Sequence, residues 1–149
     1  MNDDVDKILR ENRYATVSTV DSEGKPWAAP VWYVYDDDMN IYWWSPSLSQ
    51  HSKNIKQNAN VYITIFDSKV KEGDGIGLYV RAVAREVNDS ELDVAINSYN
   101  NSTEIFKLSR DNCTANAPTR LYVAVPSESW LNRGKDEGEF YIDFREEVR

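Results

Sequence analysis

The residues best suited to chemistry lie in one run, Trp43-Trp44-Ser45-Pro46-Ser47-Leu48-Ser49-Gln50-His51-Ser52-Lys53-Asn54-Ile55. Its polar part reads as a loop entering a helix, with Ser47-x-x-Gln50 at the spacing of a capping box. A helix N-terminus presents backbone N–H groups that have no intrahelical acceptor, so it is an anion site in its own right. Here it would be ringed by Ser45, Ser47, Ser49, Gln50 and the single histidine, His51, with Lys53 half a turn on. Hydroxyl donors, an amide and a partly cationic imidazole suit a phosphate monoester. Trp27, Trp32, Trp43 and Trp44 offer a wall against which a planar heteroaromatic ring would pack. Phosphate beside a planar ring is the outline of FMN, and a nucleotide satisfies the same logic. A plainer reading stays open: a serine that caps a helix, a histidine satisfied locally, and a Trp-Trp pair with one ring in the core and one at an interface.

Those residues need a frame, and the hydropathy pattern predicts one built mainly of strands. Val5, Ile8 and Leu9 fall at helical spacing behind Asp3 and Asp4. Residues 14–20, 27–35, 41–44, 61–66, 78–87 and 121–125 read as strands, the last continuing past Pro126 toward Trp130. Pro30 donates no ladder hydrogen bond and predicts an edge, a bulge or a kink. Gly24 closes a turn that calls for a positive φ. Asn88-x-x-Glu91 predicts the cap of a helix carrying Leu92, Ile96 and Tyr99, and Ile105, Phe106 and Leu108 suggest a further helical piece. Residues 110–118 read as a polar linker, and the tail EFYIDF as one more short strand. Short antiparallel strands must hide their edges, which favours a closed or nearly closed sheet. No repeat or internal boundary is visible, so residues 1–149 are expected to form one domain.

Composition narrows the partners. The net charge is −8, from 17 basic and 25 acidic side chains, which argues against nucleic acid and against an anionic membrane surface. No apolar run approaches the ~20 residues of a membrane helix. Cys113 is the single cysteine, so no intrachain disulfide can form. Met1 leads into Asn2, Asp3 and Asp4 with no basic or apolar leader, and a cytoplasmic protein is expected.

The ordered set ATVSTVDSEGKPWAAPVWYVYDDDMNIYWWS, SxHxxNIxxN at Ser49 to Asn58, VYITIF, LYVRAVAREV and RLYVAVPSESW resembles the pyridoxamine 5′-phosphate oxidase-like family of FMN-binding split barrels. The resemblance covers roughly Ile8 to Trp130. It implies a mostly β, α+β fold: a six-stranded antiparallel split β-barrel with a few short helices, paired as a homodimer with FMN at the subunit interface. It also implies that Ala29, Val31, Trp32 and Val34 run along the flavin, partly through backbone groups, and that Trp44 and Ser45 lie near it. Ser49, Gln50 and His51 take the place of a Ser-Arg-Lys triplet that grips the phosphate, and Trp130 reaches the flavin from the other subunit. The chain departs from the family where its basic residues appear as Ala29, Val34, Gln50 and His51. A family glycine is Ala82, and the Arg-x-His motif expected after Trp130 is replaced by LNRGKDEGEF. The implied function is an FMN-dependent oxidoreductase acting on a small molecule, though not on vitamin B6 itself. The alternatives are a non-catalytic flavin- or haem-binding barrel and a deazaflavin-dependent reductase. No side chain has the setting of a general acid or base, and no metal site is expected.

Overall fold

The computed structural model describes residues 2–148. Helix α1 (Asp3–Glu11) opens the chain, with Asn2 capping it by accepting from the Asp4 N–H. Strands β1 (Tyr14–Val20), β2 (Pro26–Trp32), β3 (Val34–Tyr35) and β4 (Ile41–Pro46) follow. After helix α2 (Gln50–Gln57) come β5 (Asn60–Phe66) and β6 (Gly77–Glu86), then helix α3 (Leu92–Ser102) and a 3-10 turn at Arg110–Asn112. The chain ends with the long strand β7 (Thr119–Glu137) and β8 (Phe140–Glu147).

The strands form one antiparallel sheet in the order β2-β1-β5-β6-β7-β4-β3, with β8 added along the second half of β7. Its two end strands, β2 and β3, are consecutive pieces of one segment broken at Tyr33, so the sheet curls round on itself without closing. This is the expected mostly β split barrel. The six expected strands are present; the break at Tyr33 and the added β8 bring the total to eight. Pro30 lies opposite Thr16 on the end strand β2, where no outward N–H is needed. The Tyr33 hydroxyl donates to the Leu9 carbonyl at 2.8 Å and ties the seam to α1.

Strict alternation along the strands divides the apolar residues between two cores. Inside the barrel, Val17, Ile63, Val80 and Trp43 pack with Val5 and Leu9 of α1. Outside it, Leu92, Ile96 and Tyr99 of α3 cover Val34 and Leu121, with Trp32 and Trp44 against them. Gly24 has the expected positive φ of 80°. Gly138, at φ 65°, is the first residue of the two-residue turn joining β7 to β8, the position that a type II′ hairpin reserves for glycine.

Three local expectations are corrected. Ser49 and not Ser47 caps α2; the Ser47 hydroxyl instead donates to the Pro118 carbonyl at 3.1 Å. The Glu91 carboxylate accepts from the Asn88 N–H at 3.2 Å, as the box requires, and is also held by Arg85 at 2.8 and 3.0 Å, but Asn88 and Glu91 form a turn ahead of α3 and Glu91 itself stands at the helix start. Ile105, Phe106 and Leu108 are not helical. The Asn100 side chain bonds both the N–H and the C=O of Leu108, at 2.7 and 2.8 Å, and pins that segment beside α3.

Candidate functional site

Strand β4 and the first turn of α2 bring Ser45, Ser49 and His51 together. The imidazole Nε2 lies 3.0 Å from the Ser45 hydroxyl and 3.1 Å from that of Ser49. Ser49 donates to Ser52 Oγ at 2.8 Å, and Ser52 donates to the Pro46 carbonyl at 2.9 Å. With its own proton directed at Ser52, Ser49 accepts from His51, which makes Nε2 the protonated nitrogen of the neutral ring. Burial pushes the His51 pKa below its ordinary value. Burial thus disfavours the charged imidazolium that the residue type alone suggests. A negative group at this helix start would draw the pKa back up.

A second polar chain fixes the helix from behind. Asn54, fully buried, donates to the buried Thr19 hydroxyl on β1 at 2.9 Å and accepts from the Gln50 amide at 2.7 Å. Gln50 is thus at the helix start, but its amide is turned along the helix. Lys53 is exposed and forms no ion pair among the described residues. The cluster holds no fixed positive charge. Its polar groups are the Ser45 hydroxyl, the Ser49 hydroxyl with its proton turned to Ser52, the imidazole and the first N–H groups of α2, which lack intrahelical acceptors by position.

The expected tryptophan wall divides. Trp43 is fully buried in the barrel and stacks on Tyr122, with ring centroids 5.7 Å apart and planes at 13°. Trp27 is half exposed on β2, away from that core. Trp32 and Trp44 do lie together on the outer side, against the α3 cluster. Their indole N–H groups are buried without an acceptor among the described residues. The Trp43 indole N–H, inside the barrel, is orphaned in the same way. Ser45 alternates with Trp44 on β4 and faces the other side of the sheet, and its hydroxyl, that of Ser49 and the helix start fit an anionic group. Val31 and Val34 direct their side chains into the inner and outer cores, leaving backbone groups and the half-buried Ala29 on this segment.

Trp130 is not at this cluster. Trp44 pairs with Leu121, and Trp130 stands nine residues further along β7, roughly 30 Å at the usual strand rise. Around it sit residues outside the expected site: Tyr79 opposite it in the ladder, Tyr62 stacked at 6.4 Å, and Arg81 with its guanidinium 5.2 Å from the ring centroid. The sequence signal for them was period-two alternation on β5 and β6, which puts Tyr62, Tyr79 and Arg81 on the outer face. Asn54 is a fixed position of the SxHxxNIxxN stretch, but its partner Thr19 carried no signal beyond being polar in a strand.

An antiparallel barrel left open at one seam, with a helix-start cluster of hydroxyls and imidazole at its end, defines a split-barrel protein. The family model described as pyridoxamine 5′-phosphate oxidase matches residues 1–128, and the chain belongs to that family. No curated protein sequence matches it. Among solved structures, the heme storage protein HutZ from Vibrio cholerae superposes with a TM-score of 0.68 at 20% identity, over 88% of that chain and 83% of this one. A heme binding protein from Mycobacterium smegmatis gives 0.68 at 14% identity; this chain covers 55% of it, with 93% of its own length. An FAD-binding protein from Mesorhizobium loti gives 0.65 at 16% identity, over 94% of that chain and 88% of this one. At these identities the likeness is one of fold.

Proposed function

We propose that the protein binds FMN at the start of α2 and acts as a flavin-dependent oxidoreductase on a small molecule, working in the cytoplasm as a homodimer. The observation that carries this reading is the Ser45–His51–Ser49 cluster at the N-terminus of α2. Ser45, Ser49 and the α2 amides receive the phosphate, and His51 donates Nε2–H to it. Gln50 and Asn54 hold the helix in register with β1. Trp32, Trp44 and the backbone from Ala29 to Val34 line the ring. The flavin itself supplies the hydride chemistry when bound; the chain supplies binding and orientation. Trp130 completes the site from a second copy, because the length of β7 keeps it far from α2 in its own subunit.

Identification of the co-purified cofactor by mass spectrometry, followed by FMN titration, tests this. Micromolar or tighter FMN binding with a shifted flavin spectrum is expected. Reduction of the bound flavin by a nicotinamide cofactor separates an enzyme from a carrier. Haem or a deazaflavin in place of FMN would overturn the choice of cofactor. Sedimentation should give a dimer burying more than ~2,000 Å²; a monodisperse monomer at micromolar concentration would remove the shared site.

A further inference from the structure

Beyond the matched residues 1–128, β8 adds one strand to the outer face that carries Trp130. Its Arg145 lies opposite Asn132, with the guanidinium 3.3 Å from the centroid of the Tyr79 ring. Arg145 also donates to the Tyr62 hydroxyl at 3.1 Å. Tyr79 is the ladder partner of Trp130 and Tyr62 is its stacking partner, so Arg145 and Trp130 share both neighbours.

The charges on this face are unevenly paired. Arg81, over Trp130, is matched by Glu128. Glu147 stands across the ladder from Trp130 without an ion pair among the described residues. Arg145 has no carboxylate within 4.0 Å among the described residues, in a chain of net charge −8. Further in, the cross-strand neighbours Thr16, Ser18 and Thr64 bring hydroxyls and no charge. A guanidinium held over a ring and by one hydroxyl keeps most of its N–H donors free. Its orientation is also settled before any ligand arrives, which lowers the ordering cost of a bidentate contact.

We infer that Arg145 recognises the anionic substituent, phosphate or carboxylate, of the planar ligand that Trp130 reaches. The inference rests on the proposed flavin site and its dimer, and it supplies what that site lacks. The α2 cluster carries no fixed positive charge, whereas the face brought by the second copy carries a preset one beside its tryptophan. Arg145 is a binding residue and takes no part in electron or proton transfer.

The test compares FMN, riboflavin (the same ring without the phosphate) and haemin by equilibrium titration of the full chain. The parent is measured beside Arg145→Gln, Arg145→Lys and the control Arg13→Gln, which removes an exposed arginine whose side chain donates to the Arg10 carbonyl. In Arg145→Gln, FMN affinity should fall about tenfold, as loss of a charged hydrogen bond predicts. Riboflavin affinity should be unchanged, Arg145→Lys should restore part of the loss, and Arg13→Gln should match the parent. A loss for haemin and not FMN would support the inference with a carboxylate as the anion. Equal FMN affinity in parent and Arg145→Gln, with haemin also unaffected, overturns the inference and leaves the flavin site standing. Equal losses for FMN and riboflavin overturn it too, since the effect then lies with the ring or the fold. A parent that binds none of the three ligands overturns both this inference and the reading beneath it.

Discussion

Trp43 and Trp44 are neighbours on β4, yet they serve opposite sides of the sheet. Trp43 points into the barrel, is fully buried and stacks on Tyr122. Trp44 points outward, is half-buried and rests against the α3 cluster. One residue of strand offset separates a ring that fills the barrel from a ring that packs against the outer helix. The same division repeats in β7, where Leu131 closes the interior while Trp130 stands on the outer face. Composition cannot express this: the tryptophans read as one wall only until the pleat assigns each a side.

The largest expected effect breaks that comparison from the inside. Trp43→Ala should cost about 3–5 kcal/mol of stability, the range for removing a fully buried aromatic from a close-packed core. Trp44→Ala should cost roughly half as much, since less of its surface leaves water on folding, while abolishing a measurable share of the flavin affinity. Urea denaturation and FMN titration on both variants check this. Equal stability losses with equal binding would mean that the two faces are not specialised.

Much of this arrangement is legible in the sequence, and the failures have common causes. Alternation in ATVSTV and VYITIF predicts strands because one face of each must be apolar, and the 3.6-residue stripe of Leu92, Ile96 and Tyr99 predicts a helix for the same reason. Long-range polar contacts leave no such trace. Ser47 has the spacing of a cap, but Pro118, far along the chain, takes its hydroxyl, and the cap passes to Ser49. Ile105, Phe106 and Leu108 imitate a helical stripe, but the Asn100 clamp decides their path. The type of His51 suggests a partly charged ring; burial lowers its pKa and disfavours the charged form. Arg145 joins Trp130 only through the β7–β8 hairpin, whose pairing is set by Gly138 and by Tyr141, whose ring lies across Gly134 where a side chain would have to sit.

A smaller effect sharpens the outer half of the comparison. Ser49→Ala together with His51→Ala should weaken FMN binding, each lost hydroxyl or charge-assisted contact being worth about 1–3 kcal/mol. Stability should fall by about 1 kcal/mol from loss of the Ser49 cap. Unchanged affinity in a fluorescence titration would place the phosphate elsewhere.

The smallest effect is also the most specific, because His51 should impose opposite pH slopes on two measurements. Without ligand, burial holds its pKa below the unfolded value of about 6.5. The unfolded chain then binds more protons in the window from about 6.5 down to the folded pKa, and stability falls as pH drops through that window. With an anion at the α2 start, the charged imidazolium is favoured and the pKa rises. Flavin affinity linked to that proton is present at the acid side and declines as pH rises through the bound-state pKa. The phosphate's own second ionisation, near ~6, pulls the other way, so affinity should pass through an optimum and not a plateau. The serine hydroxyls and α2 amides do not titrate in this range, so binding above the optimum should weaken without vanishing. His51→Gln keeps a donor of similar reach and removes the titration. It should flatten the acid limb of the stability curve and the alkaline limb of the affinity curve together. If it flattens the first alone, His51 is a buried imidazole that no anion touches, and the phosphate contact belongs to the serines and the helix.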